Sequence, residues 1–186
     1  LYILDAGHYR IVAISAATGT VVDTIGSGTQ GYVEGSFAAA QFYHLGGLVY
    51  DQGTNSLFVV DQDTMRTGVI RKLDLGSRTT TQFYYDQSMI TINVDSGIRQ
   101  YGGYLYLGGN GNIYRFNKTN ANDNNLVAGV DRFGNRNGSL STALLGRPYD
   151  LVMTPDRKTI YVAENYKIRK IDTVASTASQ VIGSSV

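Results

Sequence analysis

One stretch of this chain aligns with another without a gap, and that internal repeat limits the possible folds more than any other feature. Residues Gly26 to Val60 match Gly129 to Ala163 at a constant offset of 103 residues. Eight of the 35 pairs are identical, and they fall at glycines and apolar positions, where backbone geometry and burial leave little choice. Gly26 matches Gly129, Gly31 matches Gly134, Gly35-Ser36 matches Gly138-Ser139, and Ala40 matches Ala143. Leu48-Val49 matches Leu151-Val152, and Leu57-Phe58-Val59 matches Ile160-Tyr161-Val162. A repeated sequence of this kind calls for a repeated supersecondary unit.

Shorter matches inside the offset define that unit. Leu1-Tyr2-Ile3-Leu4, Leu57-Phe58-Val59-Val60, Leu105-Tyr106-Leu107 and Ile160-Tyr161-Val162-Ala163 are versions of one strand. Each is followed by a second strand: Ile11 to Ile14, Ile70 to Leu73, Ile113 to Phe116 and Ile168 to Ile171. Apolar and polar residues alternate in three of these four second strands, the period-two signature of a sheet with one buried face. The first strands are nearly all apolar, as expected when both faces are covered. A further strand closes each unit at Val21 to Ile25, Thr80 to Tyr84, Leu126 to Ala128 and Gln180 to Ile182. Another precedes the apolar strand at Gly47 to Tyr50, Thr91 to Val94 and Asp150 to Met153.

Four short strands recurring about every 50 residues, joined by Gly, Asn and Asp turns, describe a blade of a β-propeller. The turns at Asp51 to Asn55 and Thr154 to Lys158 join the same two strands in separate copies. Ser36 to Phe42 and Ser139 to Leu145 can each form one helical turn. The expected fold is all-β, one propeller segment over 1–186, with blades near 1–31, 32–76, 77–128 and 129–186.

Composition fits. Gly is 22 of 186 and Tyr is 14, while charged residues are only 17%, against roughly 25% in ordinary soluble domains. Cys is 0, which excludes disulfides, Cys-ligated metal and thiol chemistry. The net charge is +1, and Lys and Arg are scattered in runs no longer than two. A nucleic-acid surface normally clusters its basic residues, so nucleic acid is not the expected partner. No apolar run approaches the 18 or more residues of a membrane span.

The chain resembles the NHL-repeat propellers. Gly129, Gly138, Ala143-Leu144-Leu145-Gly146-Arg147-Pro148 carry the first half of that family's pattern. Ile160-Tyr161-Val162-Ala163-Glu164 and Lys167-Ile168-Arg169-Lys170-Ile171-Asp172 carry the second half. Gly26 to Leu75 repeats it, with Leu45 in place of the proline, and the third copy lacks the Gly-rich loop. The resemblance implies a six-bladed ring of four-stranded blades. Fifteen strands make about four blades of an incomplete ring, so roughly two more blades are expected from a longer chain, or completion by a second molecule.

Candidate functional residues are few. His8 and His44 are the only histidines, and no His-x-x-x-His spacing is present, so no metal site, cofactor or catalytic residue is assigned. The acidic residue ending the apolar strand recurs as Asp5, Asp61 and Glu164, with Gly108 in the third copy. A ring of Ca²⁺-binding carboxylates is one use for it. Capping of turn backbone is the preferred one. Arg71-Lys72 and Arg169-Lys170 are expected on a solvated strand face, their stems covering apolar surface. Tyr43, His44, Arg147 and Tyr149 precede the inner strands and are the candidate binding residues at the channel mouth, Tyr and Arg being enriched in binding hot spots. Asn117-Lys118-Thr119 and Asn137-Gly138-Ser139 are N-glycosylation sequons. The polar stretch Asn117 to Asn125 is expected to be a flexible tip.

The favoured function is a non-catalytic protein- or glycan-binding or assembly module of a larger secreted or cell-surface protein. Its partners are other proteins, glycans or further blades. Part of a metal-dependent lyase- or lactonase-like propeller enzyme, and an RNA-binding NHL domain, are the alternatives.

Overall fold

Period-two alternation turns into sheets wherever the next strand lies one tight turn away. The computed structural model describes residues 1–63, 65, 67–85, 92 and 95–183. Among them, four antiparallel sheets account for the regular structure. Sheet 1 is the meander β1 (Tyr2–Asp5), β2 (Arg10–Ile14) and β3 (Val21–Ile25), with a 3-10 turn at Ala6–His8 between the first two. Sheet 2 holds β4 (Gly35–Ser36), β5 (Leu48–Asp51), β6 (Ser56–Gln62), β7 (Gly68–Asp74) and β8 (Thr79–Tyr85), in the order β4-β8-β7-β6-β5. Sheet 3 holds β9 (Ile98–Tyr101), β10 (Tyr104–Gly109), β11 (Asn112–Asn117) and β12 (Asn120–Ala128). Sheet 4 holds β13 (Gly138–Ser139), β14 (Asp150–Met153), β15 (Thr159–Glu164), β16 (Lys167–Asp172) and β17 (Thr177–Gly183), in the order β13-β17-β16-β15-β14.

The chain divides into two compact units, Leu1–Gln87 and Ser88–Val186, each a pair of sheets. In the first unit one core joins Ile11 and Ile25 of sheet 1 to Leu57, Val59 and Leu73 of sheet 2, with Phe37, Phe42 and Leu45 from the intervening loop. In the second unit Ile113 and Ala128 of sheet 3 meet Leu151, Ile160, Val162 and Ile171 of sheet 4, with Ala143 and Leu145 from the equivalent loop. Each Val, Leu, Ile or Phe among them contributes roughly 1.5–3 kcal/mol when fully buried.

The repeated loop keeps its geometry. Ala40 N–H donates to Ser36 O at 2.9 Å, and Ala143 N–H to Ser139 O at 2.8 Å, so each copy makes the single helical turn its sequence suggests. Gly26 and Gly129 open the loops with φ of 108° and 107°, a left-handed backbone that accounts for the identity at this position. A Cβ on Gly26 would also lie 3.0 Å from the Phe42 ring.

Three expectations need correction. Sheet 2 extends through β8 to Tyr85, past the expected blade boundary at 76. The inner strand of sheet 3 is β9, not Thr91 to Val94. It pairs with β10 through the two-residue turn Gly102-Gly103, and Ile92 makes an isolated antiparallel bridge to Gly109 at the far end of β10. Of that segment, residues 91, 93 and 94 lie outside the described residues. Finally, the stretch from Asn120 onward is strand, because β12 pairs with β11 through Asn124, Asn125 and Leu126.

Candidate functional site

The strand-end carboxylates hold the loops that lead into the inner strands. Asp61, at the end of β6, is fully buried. Its Oδ1 accepts the backbone N–H of Tyr43 at 3.1 Å, of His44 at 2.8 Å and of Gln62 at 2.8 Å. Its Oδ2 accepts Arg71 Nη1 at 3.1 Å. Glu164 does the matching work in sheet 4, accepting Gly146 N–H at 3.0 Å, with Lys167 Nζ 3.7 Å away. Burial is the main cause holding the Glu164 carboxyl above its ordinary value, opposed by Gly146, Arg169 and Lys167.

Asp5 instead accepts His8 Nδ1 at 2.7 Å and Arg10 Nε at 2.8 Å, which hold its carboxyl below the usual range. At the fourth position Gly108 stands where a Cβ would lie 2.6 Å from Pro148 Cβ, and its N–H donates to Ser96 Oγ at 2.8 Å. These carboxylates cap and brace the chain, as capping acids do. Among the described residues no group of three His, Cys, Asp or Glu is placed to hold a metal ion.

The arginines overturn one expectation. Arg71 and Arg169 are fully buried rather than spread on a solvated face. Neighbouring residues of a strand point to opposite faces, so Arg71 shares its face with Val69 and Leu73, while Ile70 and Lys72 turn to the other. Arg71 Nη1 donates to Gln41 O at 2.5 Å and Nη2 to Val33 O at 2.6 Å, which pins both limbs of the Gly-rich loop. The guanidinium stacks on Phe42 at 4.5 Å and Tyr32 at 5.1 Å. Tyr32 has its phenol pushed up to about 12, by burial first and by Glu34 second, so it stays neutral. Arg169 repeats the backbone part, with Nη2 to Arg136 O at 3.0 Å and Nη1 to Leu144 O at 3.4 Å.

The candidate mouth residues divide between the two units. Tyr43 is half-buried and His44 exposed, their backbones fixed by Asp61. Arg147 lies over the Tyr149 ring at 5.7 Å, and its Nη2 donates to Asp95 Oδ2 at 2.7 Å. Tyr149 is 41% exposed. Of the sequons, Asn117 is half-buried and its Nδ2 donates to Asp123 Oδ2 at 2.9 Å, whereas Asn137 is exposed just before β13.

One cavity went unread in the sequence because β9 was misplaced. It has a volume of about 290 Å³ and lies on sheet 4. Arg99 of β9, hydrogen-bonded to Asp150, forms its polar end, and Val152, Tyr161, Ala163 and Ile168 form the apolar wall. That wall belongs to one face of the sheet, as the pairs Val152–Tyr161, Ala163–Ile168 and Ile168–Ile182 require. Tyr161 is 36% and Ile182 65% exposed, while Phe58 and Tyr84 at the matching places of sheet 2 are 0% and 9% exposed; Val152 is 55% exposed, against a half-buried Val49.

Comparison with known proteins defines the class. No family model matches the chain, and no curated protein does. Solved structures match over nearly all of it. A Bacteroides thetaiotaomicron protein of unknown function matches with TM-score 0.71 and 16% identity, over 96% of this chain and 43% of that one. A chain of the nidogen/laminin complex matches with TM-score 0.57 and 14% identity, over 95% and 59%. The extracellular domain of a B. thetaiotaomicron protein described as a one-component system matches with TM-score 0.54 and 15% identity, over 92% and 21%. The chain is a propeller-type all-β segment of blade-like sheets, similar in fold to extracellular proteins and spanning about half or less of the length of most of these matches. Among the described residues no helix is long and apolar enough to cross a membrane.

Proposed function

We propose that the chain is a non-catalytic binding and assembly module, a propeller segment of NHL type within a larger secreted or cell-surface protein. The open face of sheet 4 carries this reading. Tyr161 and Ile182 expose on it the side chains whose counterparts in sheet 2, Phe58 and Tyr84, are buried, and Val152 lies exposed beside them. Covering each would contribute roughly 1.5–3 kcal/mol, enough to make the face a docking surface for a further blade of the longer chain. The Arg147–Tyr149 pair, with Tyr43 and His44, then supplies contact groups on loops, where propeller-type scaffolds place recognition.

The isolated segment, purified and measured by sedimentation velocity over a micromolar range, is expected to self-associate through that face. Val152→Lys with Ile182→Lys is expected to return it to a monomer. A wild-type segment that stays monomeric throughout and binds no hydrophobic dye contradicts the proposal. For the secreted setting, glycosidase treatment of protein from its native source is expected to lower its mass. No mass loss at Asn117 or Asn137 counts against that part alone.

A further inference from the structure

Asn137 stands where the first copy of the repeat has Glu34, and Gly138 follows it. In the first copy Glu34 Oε1 lies 3.1 Å from Arg71 Nε, an ion pair without the alignment of a hydrogen bond. In the second copy Arg169 Nε is buried and makes no hydrogen bond. Both guanidinium groups hang on equivalent carbonyls, Val33 and Gln41 in one copy and Arg136 and Leu144 in the other. That equivalence sets position 137 beside Arg169 Nε, as position 34 is set beside Arg71. A buried arginine lacking a carboxylate there is costly, since a buried charge needs pairing.

We propose that Asn137 is a site of spontaneous deamidation and that the carboxylate it forms completes the Arg169 clasp. The backbone nitrogen of Gly138 attacks Asn137 Cγ and forms a new N–C bond. The side-chain nitrogen leaves as ammonia, giving a five-membered succinimide. Water then adds to one imide carbonyl and breaks its C–N bond. Opening at Cγ gives Asp, and opening at the backbone carbonyl gives isoaspartate. The net change is Asn plus water to acid plus ammonia, with no other co-reactant.

The setting favours the reaction. Asn137 is exposed, and Gly138 has no Cβ to shield its nitrogen. Strand β13 has two residues and is the outermost strand of sheet 4, so local opening there is cheap. The chain holds an internal control. Asn110-Gly111 has the same dipeptide but lies half-buried in the tight hairpin between Gly109 and Asn112, which pair with each other.

The test incubates the purified chain for days at mildly alkaline pH and maps peptides by mass spectrometry with isoaspartate detection. Asn137 is expected to convert several-fold faster than Asn110. Asn137→Asp is expected to raise the urea midpoint above wild type and above Asn137→Gln, with the gain lost in an Arg169→Lys background. Asn137 found intact while Asn110 converts overturns the modification. An Asn137→Asp midpoint equal to or below that of Asn137→Gln overturns the completed clasp.

Discussion

Arg71 and Arg169 occupy matching places in sheets 2 and 4 and are held differently. What repeats is the grip on backbone: two loop carbonyls each, plus a strand-end carboxylate nearby. What does not repeat is the side-chain lining. Tyr32, Glu34, Phe42 and Thr80 surround Arg71. The register places Asn135, Asn137, Leu145 and Ala178 at the matching positions around Arg169. Burial consequently pulls the Arg169 guanidinium below its ordinary value, with only Glu164 opposing. The contrast separates two jobs. Pinning the loop is the shared one, and full neutralisation of the buried charge is a local addition in the first unit.

Breaking the first clasp should cost most. Arg71→Ala strands the fully buried Asp61, and a loss of about 3–5 kcal/mol is expected in denaturant titrations. Arg169→Ala should cost less, about 1–3 kcal/mol, because Glu164 keeps Lys167 at 3.7 Å and takes up a proton more readily. Equal losses in the two variants would erase the distinction.

The pH response sharpens it next. A carboxyl whose folded pKa is raised favours the protonated folded state. That contribution is complete below the unfolded value and is lost as pH climbs through the raised one. Stability of the second unit should therefore sag just above the ordinary glutamate value of 4.5. Glu164→Gln should flatten that sag in urea midpoints taken across pH. Asp172 works in the opposite sense: its carboxyl is lowered by the Ala175 and Val174 N–H groups, so its contribution disappears as pH falls through its folded value. The smallest effect belongs to Asp23→Asn, which removes an exposed pair with Arg78. Any loss should vanish in high salt.

Much of this molecule was legible as sequence. The hairpins after Tyr2, Leu57 and Ile160 and the two Gly-rich loops announce themselves by alternation and by glycines that geometry requires. Strand β9 did not, because Ile98-Arg99-Gln100-Tyr101 offers little apolar character. Asn120 to Asn125 looked like a loop for the same reason: an edge strand need not be apolar. The buried arginines were missed although a signal existed. Arg71 and Arg169 fall in phase with Leu73 and Ile171, the buried positions of their strands. Of the candidate binding residues, the stacking of Arg147 on Tyr149 came only with the structure. The Arg99–Asp150 end of the cavity could not be read before β9 was placed.

The central claim is that the Tyr161 face of sheet 4 is built to be covered, as its counterpart in sheet 2 is. Hydroxyl-radical footprinting of this segment and of the full-length protein, side by side, measures that directly. Tyr161 and Ile182 are predicted to react in the segment and to be shielded in the full-length chain, with Phe58 unreactive in both. Equal labelling of Tyr161 and Ile182 in the two samples would contradict it.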